Sequence, residues 1–315
     1  DIFILVSSLT LTIDDKMKKL EHKILQICNR NRDGSYATQA NRRAILSLCV
    51  AQLNEAGYKV NELKPHDLKG RHINSLVKRW KEDGVSNGTM KNRMSALRWL
   101  AEKIDNKGLV KNNDQLGIAN RKYITNEDKS IDLVDLSKVD LSKLSPHVLL
   151  SNELQKEFGL RREEAMKFMP SYALGGYTAS TVDKIMIKPS WSKGGRYREI
   201  PILNSRQVKL LERVQALVKD GSLIPVDKSY KQHKNTFEYE TRKAGIGQTH
   251  GLRHLYAQNR YLELTGWLCP AVGGVRELSD AEKQIDKQAR LQISTELGHS
   301  RLQITGVYLG SWTHK

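Results

Sequence analysis

The sequence predicts a mainly α chain in two parts: an all-α helical bundle, then an α+β domain that adds a small β-sheet to its helices. Three observations predict it. Apolar residues recur at helical spacing in four blocks over 16–104, the pattern of helices that each bury one face. A polar stretch repetitive in Asp, Asn, Lys and Ser follows. Beyond it, further helical patterns flank alternating isoleucines on either side of Gly194-Gly195, the mark of a β-hairpin.

Residues 1–15 read as a flexible leader or edge strand. Their apolar run is too short to span a membrane, and it lacks the basic lead and cleavage site of a signal peptide. The chain opens on Asp1 and not on Met, as a trimmed or partial chain does. A first helical pattern covers 16–31 around Met17, Leu20, Ile24 and Ile27. A second runs from Thr38 to Ala56, with Ala44, Ile45, Leu48 and Leu53 inward and Gly57 as its stop. The third follows Pro65, where Leu68, Ile73, Leu76, Val77 and Trp80 repeat until Gly84. The fourth, 87–104, has a stripe of Met90, Met94, Leu97, Ala101 and Ile104, with Lys91, Arg93, Arg98 and Lys103 off it. These patterns divide the chain into a leader (1–15), a helical domain (16–107), a linker (108–140) and a second domain (141–315). Within the second, 182–202 is the hairpin, with Ile185/Ile187 and Ile200/Ile202 alternating, and 266–290 reads as a Gly/Pro-rich loop followed by a charged helix.

Lys and Arg number 52 against 35 Asp and Glu in 315 residues, a net charge of +17. With a pI near 9.7, that is the electrostatic footprint of a protein that binds nucleic acid. Charge alone fits a ribosomal or an anionic-membrane protein as well. Cys28, Cys49 and Cys269 are odd in number and lack metal-ligand spacing; they read as free thiols in a reducing cytoplasm. No apolar run reaches the roughly 18 residues of a membrane span.

The chemistry-bearing residues cluster in three motifs. Residues 159–164 read Gly-Leu-Arg-Arg-Glu-Glu, 249–254 Thr-His-Gly-Leu-Arg-His, and 297–309 run from Leu-Gly-His to Gly-Val-Tyr-Leu. Singly they are unremarked: an arginine on an amphipathic helix is a solvated face residue, and a tyrosine in Gly-Val-Tyr-Leu a packed aromatic. Together they suit attack on a phosphodiester. Arginine's planar fork binds two anionic oxygens at once, and donors aimed where charge develops supply much of catalysis. His250 stands one helical turn before Arg253, and a neutral histidine can donate or accept a proton near pH 7. A phenol, with an ordinary pKa of about 10, needs a base or nearby cations to act as nucleophile.

In its order, the series Arg161, His250, Arg253, His299 and Tyr308 resembles the catalytic set of the tyrosine recombinases, the phage integrase family. The resemblance is strongest over 155–310 and architectural over 16–105. It implies Tyr308 as nucleophile, Arg161 and Arg253 as phosphate clamp, His250 as acid/base or phosphate donor, and His299 beside them. A lysine near the hairpin tip is the family's general acid; Lys193 matches, with Lys188 as competitor. Glu164 matches an acidic residue that supports the site, and His254 is placed as support outside the core set. The stretch from Arg253 to His299 is longer than the family pattern, with the excess in 266–290. The helical bundle resembles the family's core-binding domain, which makes Lys91, Arg93, Arg98 and Lys103 candidate contacts to DNA phosphates.

The implied function is a site-specific recombinase, the integrase of a phage or mobile element, that cuts and rejoins DNA through a covalent 3'-phosphotyrosine. The implied partners are double-stranded DNA carrying specific recombination sites, three further copies in a homo-tetramer on DNA, and accessory DNA-bending proteins. No metal, nucleotide or organic cofactor is implied, and the location expected is cytoplasmic, at the nucleoid. Two other readings stand: a type IB topoisomerase-like enzyme that religates the original strand, and a catalytically silent DNA-binding module.

Overall fold

The computed structural model describes residues 18–121, 123–135, 138–275, 277–299 and 301–313. The expected leader and Met17 lie outside the described residues. Two compact units divide the chain, within Asp1–Arg121 and Lys122–Lys315.

The first unit is all helical: α1 (Lys19–Arg30), α2 (Tyr36–Glu55), α3 (Gly70–Glu82) and α4 (Asn87–Lys103). Serines start two of them. The Ser35 and Ser86 hydroxyls accept from the Thr38 and Thr89 N–H groups, satisfying donors that a helix leaves open at its N-terminus. The core joins Leu20 and Ile24 of α1 to Leu46, Cys49, Val50 and Leu53 of α2 and to the expected stripes of α3 and α4. Trp80 is fully buried, and its indole N–H donates to Gln52 Oε1 at 2.8 Å. On α2 the inward set differs from the sequence reading. Ala44 and Leu48 face solvent, because Leu46, Cys49, Val50 and Leu53 share the i, i+3, i+4, i+7 face and bury more apolar area.

The second unit is α5 (Pro146–Phe158), α6 (Arg162–Met166), α7 (Pro170–Ala173), β1 (Lys184–Ile187), β2 (Arg198–Pro201), α8 (Ser205–Val218), α9 (Tyr230–Lys243), α10 (His250–Thr265), α11 (Asp280–Glu296) and α12 (Gly306–Leu309). The hairpin pairs β1 and β2 antiparallel, Ile185 opposite Ile200 and Ile187 opposite Arg198; it is the one sheet among the described residues. The chain is therefore mainly α with a small sheet in its second part, as the patterning predicts. Helix α10 runs through the middle, against α5 and α11, in a core that includes Phe158, Phe168, Tyr261, Leu297 and Leu309.

Segment 108–140, read from its polarity as a linker, is packed near both ends. Leu109, Leu116 and Ile118 enter the first core, and Leu133 and Val139 enter a cluster of the second unit with Phe237 and Leu252. After the Gly/Pro-rich stretch, Ser279 and Glu282 form a reciprocal capping box that starts α11. Among the described residues no helix is long and apolar enough to cross a membrane.

Candidate active site

The site is built where α5 ends. Gly159 closes that helix with φ +59°, a left-handed conformation that glycine adopts freely. A Cβ there would strike the Tyr256 ring and come within 2.9 Å of Leu297. Leu160 is fully buried, which fixes Arg161 as the N-cap of α6. The Arg161 N–H donates to Glu164 Oε2 at 2.7 Å, its Nη1 to Glu164 Oε1 at 2.8 Å, and its Nη2 to the Gly298 carbonyl at 3.4 Å. Its side chain remains 25% exposed, so one edge of the guanidinium opens to solvent.

Helix α10 presents His250, Arg253 and His254 on one face. Arg253 is completely buried. It donates through Nη1 to the Gly159 carbonyl and through Nη2 to the Leu297 carbonyl. Its Nε donates to Tyr308 Oη at 3.3 Å. The Tyr308 hydroxyl also lies 3.3 Å from His250 Nε2. Arg253 Nη2 reaches His299 Nε2 at 3.3 Å. An arginine only donates, so that ring nitrogen accepts and the proton of the neutral ring sits on Nδ1. The His299 ring stacks on Tyr308, centroids 5.3 Å apart and planes 25° apart. His254 packs on the tyrosine from another side at 4.6 Å.

Charge and burial set the protonation states. Burial, with Arg253 and Arg161 close by, pushes His250 down to about 4 and His299 to about 3. Burial and the neighbouring His250 take His254 to about 4. All three rings are neutral at pH 7. Burial lowers Arg253 to about 10, which leaves it charged. Burial alone would push the Glu164 carboxyl up, but Arg198, Arg253 and Arg161 outweigh it and hold it at about 2.

The structure thus brings together Arg161, Glu164, His250, Arg253, His254, His299 and Tyr308. Lys193 is not among them. It is exposed in the turn between the strands and has no hydrogen bond or ion pair among the described residues. Lys188 lies over the Tyr172 ring at 5.2 Å. On α4, Lys91, Arg93, Arg98 and Lys103 are all half-buried. Lys91 bonds Asn120, and Arg98 bonds the Lys111 carbonyl and Asn113. Arg93 lies over the Trp80 ring at 5.1 Å, and Lys103 pairs with Glu102 at 3.3 Å.

Two features were missed from sequence. Arg198 is buried and donates both Nη groups to Glu164, at 3.0 and 2.6 Å, and Nε to the Glu296 carbonyl at 2.9 Å. Its signal was present: Arg198 stands two residues before Ile200, on the buried face of a strand, and a buried cation requires a buried anion. The other is the segment before Asp132, read as linker. Asn126 accepts from the Ser311 N–H at 2.9 Å and donates to the Ser311 carbonyl at 3.0 Å, beside the helix that carries Tyr308. No local pattern signals that contact.

Two family models match the chain: "Phage integrase, N-terminal" over residues 17–107 and "Integrase" over 125–259. No curated protein matches it in sequence. Among solved structures, the Tn1549 transposon integrase in complex with circular intermediate DNA is similar, with 13% identity, TM-score 0.54, and coverage of 93% of this chain and 96% of that one. The XerH site-specific recombinase bound to its difH substrate is similar at 16% identity and TM-score 0.54, covering 92% and 82%. At such identity the likeness is one of fold.

Proposed function

We propose that this chain, which belongs to the phage integrase family of tyrosine recombinases, is a site-specific DNA recombinase working through a covalent 3'-phosphotyrosine. The observation that carries the reading is the Tyr308 hydroxyl, shared at 3.3 Å between Arg253 Nε and His250 Nε2. With one lone pair engaged by Arg253, the phenolic proton is directed at His250, a ring kept neutral and so able to accept it. Tyr308 Oη attacks the scissile phosphorus, a Tyr–O–P bond forms, and the P–O5' bond breaks. The 5'-oxygen leaves with a proton from Lys193 in the hairpin turn, or from Lys188. Arg161 and Arg253 clamp the non-bridging oxygens where charge builds, assisted by His299. Glu164 and His254 hold the clamp and the phenol in place. Return of a 5'-hydroxyl from a second duplex reverses the steps and rejoins the strands.

The chain keeps Tyr308 only 5% exposed and Arg253 wholly buried beneath it. Contact with a duplex phosphate therefore requires α12 to shift. The reading includes a homo-tetramer on two duplexes, aided by accessory DNA-bending proteins, with Lys91, Arg93, Arg98 and Lys103 contributing to the grip of the first unit. A phosphate would compete there with the Asn120, Asn113 and Glu102 side chains that hold Lys91, Arg98 and Lys103 in the chain alone.

The test is covalent trapping on nicked duplexes tiled across the DNA that flanks the gene. The parent chain should give an SDS-resistant adduct, and Tyr308→Phe, which keeps the ring and loses the hydroxyl, none. Adducts from both would place the nucleophile elsewhere. Strand exchange between two differently labelled duplexes then separates recombination from simple nicking and religation.

A further inference from the structure

We infer that Arg198 is the positioning residue of this site, fixing the Arg161 clamp, the His299 turn and the lysine-bearing hairpin on one frame. The inference rests on the catalytic reading above and adds to it a residue outside the reacting set.

Arg198 lies at the root of the hairpin, on β2 opposite Ile187, and its side chain is only 4% exposed. Its three donors go to two different elements. Both Nη groups take both oxygens of Glu164, which in turn holds the Arg161 backbone and side chain. Nε holds the Glu296 carbonyl at the end of α11, three residues before His299. The fit there is close: Gly298 has φ +65°, and a Cβ on it would lie 2.9 Å from Arg198 Cδ. In the other direction, Lys193 stands five residues upstream on the same hairpin. The intervening turn is tied by Ser192, whose Oγ accepts from the Arg196 N–H at 2.9 Å and donates to the Arg196 carbonyl at 2.7 Å.

Only a guanidinium does this. Its donors are coplanar and fixed in angle, whereas a lysine ammonium is a point charge on a flexible stem. Against a hydrophobic replacement, a buried ion pair contributes little net stability. What the Arg198–Glu164 pair supplies is geometry: Arg161 and the His299 turn cannot move independently while both are held by one rigid fork. Misplacing a catalytic group by about 1 Å costs on the order of 100-fold in rate.

The experiment compares the full-length parent with Arg198→Lys, which keeps the charge and loses the fork. Glu164→Gln/Arg198→Met removes both buried charges together and guards against simple misfolding. On a nicked duplex that the parent cleaves, single-turnover adduct formation should fall about 100-fold in each variant. Affinity for a mixed-sequence duplex and the thermal transition of the double variant should stay at parent values. A second readout needs no DNA: the His299 ring, followed by NMR, should titrate at about 3 in the parent. In Arg198→Lys it should move up toward its ordinary value as the turn opens to water, with Arg253, Arg161 and His250 still beside it. Parent-rate cleavage or an unmoved His299 titration in Arg198→Lys overturns the inference. Whether the parent forms an adduct at all is the separate test of the catalytic reading.

Discussion

Replacing Glu164 by Gln removes the one carboxylate on which Arg161 and Arg198 converge. In the folded chain that carboxyl sits at about 2 against an ordinary 4.5. A tenfold change in a proton-binding constant is worth about 1.4 kcal/mol, so a carboxyl held that low contributes about 3 kcal/mol of stability at pH 7. A second route gives a similar size: removing one partner of a buried pair costs roughly 3–5 kcal/mol, because the other charge is left uncompensated. The sign follows from the depressed value. The stabilisation is complete above pH 4.5, where the unfolded carboxyl is also ionised, and it is lost as pH falls through 4.5 toward 2. Urea unfolding of the second unit, followed through Trp191, Trp267 and Trp312 in a Trp80→Phe/Trp99→Phe background that silences the tryptophans of the first unit, reads it directly. The gap between parent and Glu164→Gln should be about 3 kcal/mol at pH 7 and shrink to about 1 kcal/mol at pH 3. A gap that is small at pH 7, or that does not narrow with acid, refutes the claim that ionised Glu164 holds the site together.

Gly159→Ala should destabilise the second unit by about 2–3 kcal/mol in the same unfolding assay, since the new methyl meets Tyr256 and Leu297 at a positive φ. The imidazoles of His250, His254 and His299 should titrate by NMR well below an ordinary histidine, at about 4, 4 and 3. Their lowered values mean the unfolded chain takes up protons first, so stability is complete above pH 6.5 and falls as pH drops toward 4. Asn126→Ala removes two hydrogen bonds to Ser311, worth about 1 kcal/mol each. It should speed hydrogen exchange in 306–311 while leaving the thermal transition of the core nearly unchanged.

What was legible in the sequence, and what was not, divides along physical lines. The stripes of α3 and α4 could be read because one apolar face leaves a single choice of inward side. On α2 apolar residues occupy more than one face, and the packing of α1 and α4 chose among them. The site divides the same way. That Arg161, His250, Arg253, His299 and Tyr308 lie together could be expected because their chemistry and order are unusual together. Arg198 needed a partner remote in the chain, Glu164, before its burial made sense. The carbonyls of Gly159 and Leu297 that hold Arg253 have no side-chain signature at all.

That second group decides how the first can act. Arg253 is committed to two carbonyls, to the phenol and to His299, so it is rigid before any phosphate arrives. Arg161 keeps an open edge, and Tyr308 rides on a helix of four residues, Gly306–Leu309. Preorganised donors cost no rearrangement at the moment charge develops, so in the proposed reading the fixed parts face the phosphate. In the proposed reading the part that must travel is α12, and because its Tyr308 and Leu309 are packed in the core, contacts with DNA have to offset their release. A shift of α12 would leave Arg253 held by the Gly159 and Leu297 carbonyls and release its Nε from the phenol, which is what the proposed attack on a phosphate requires.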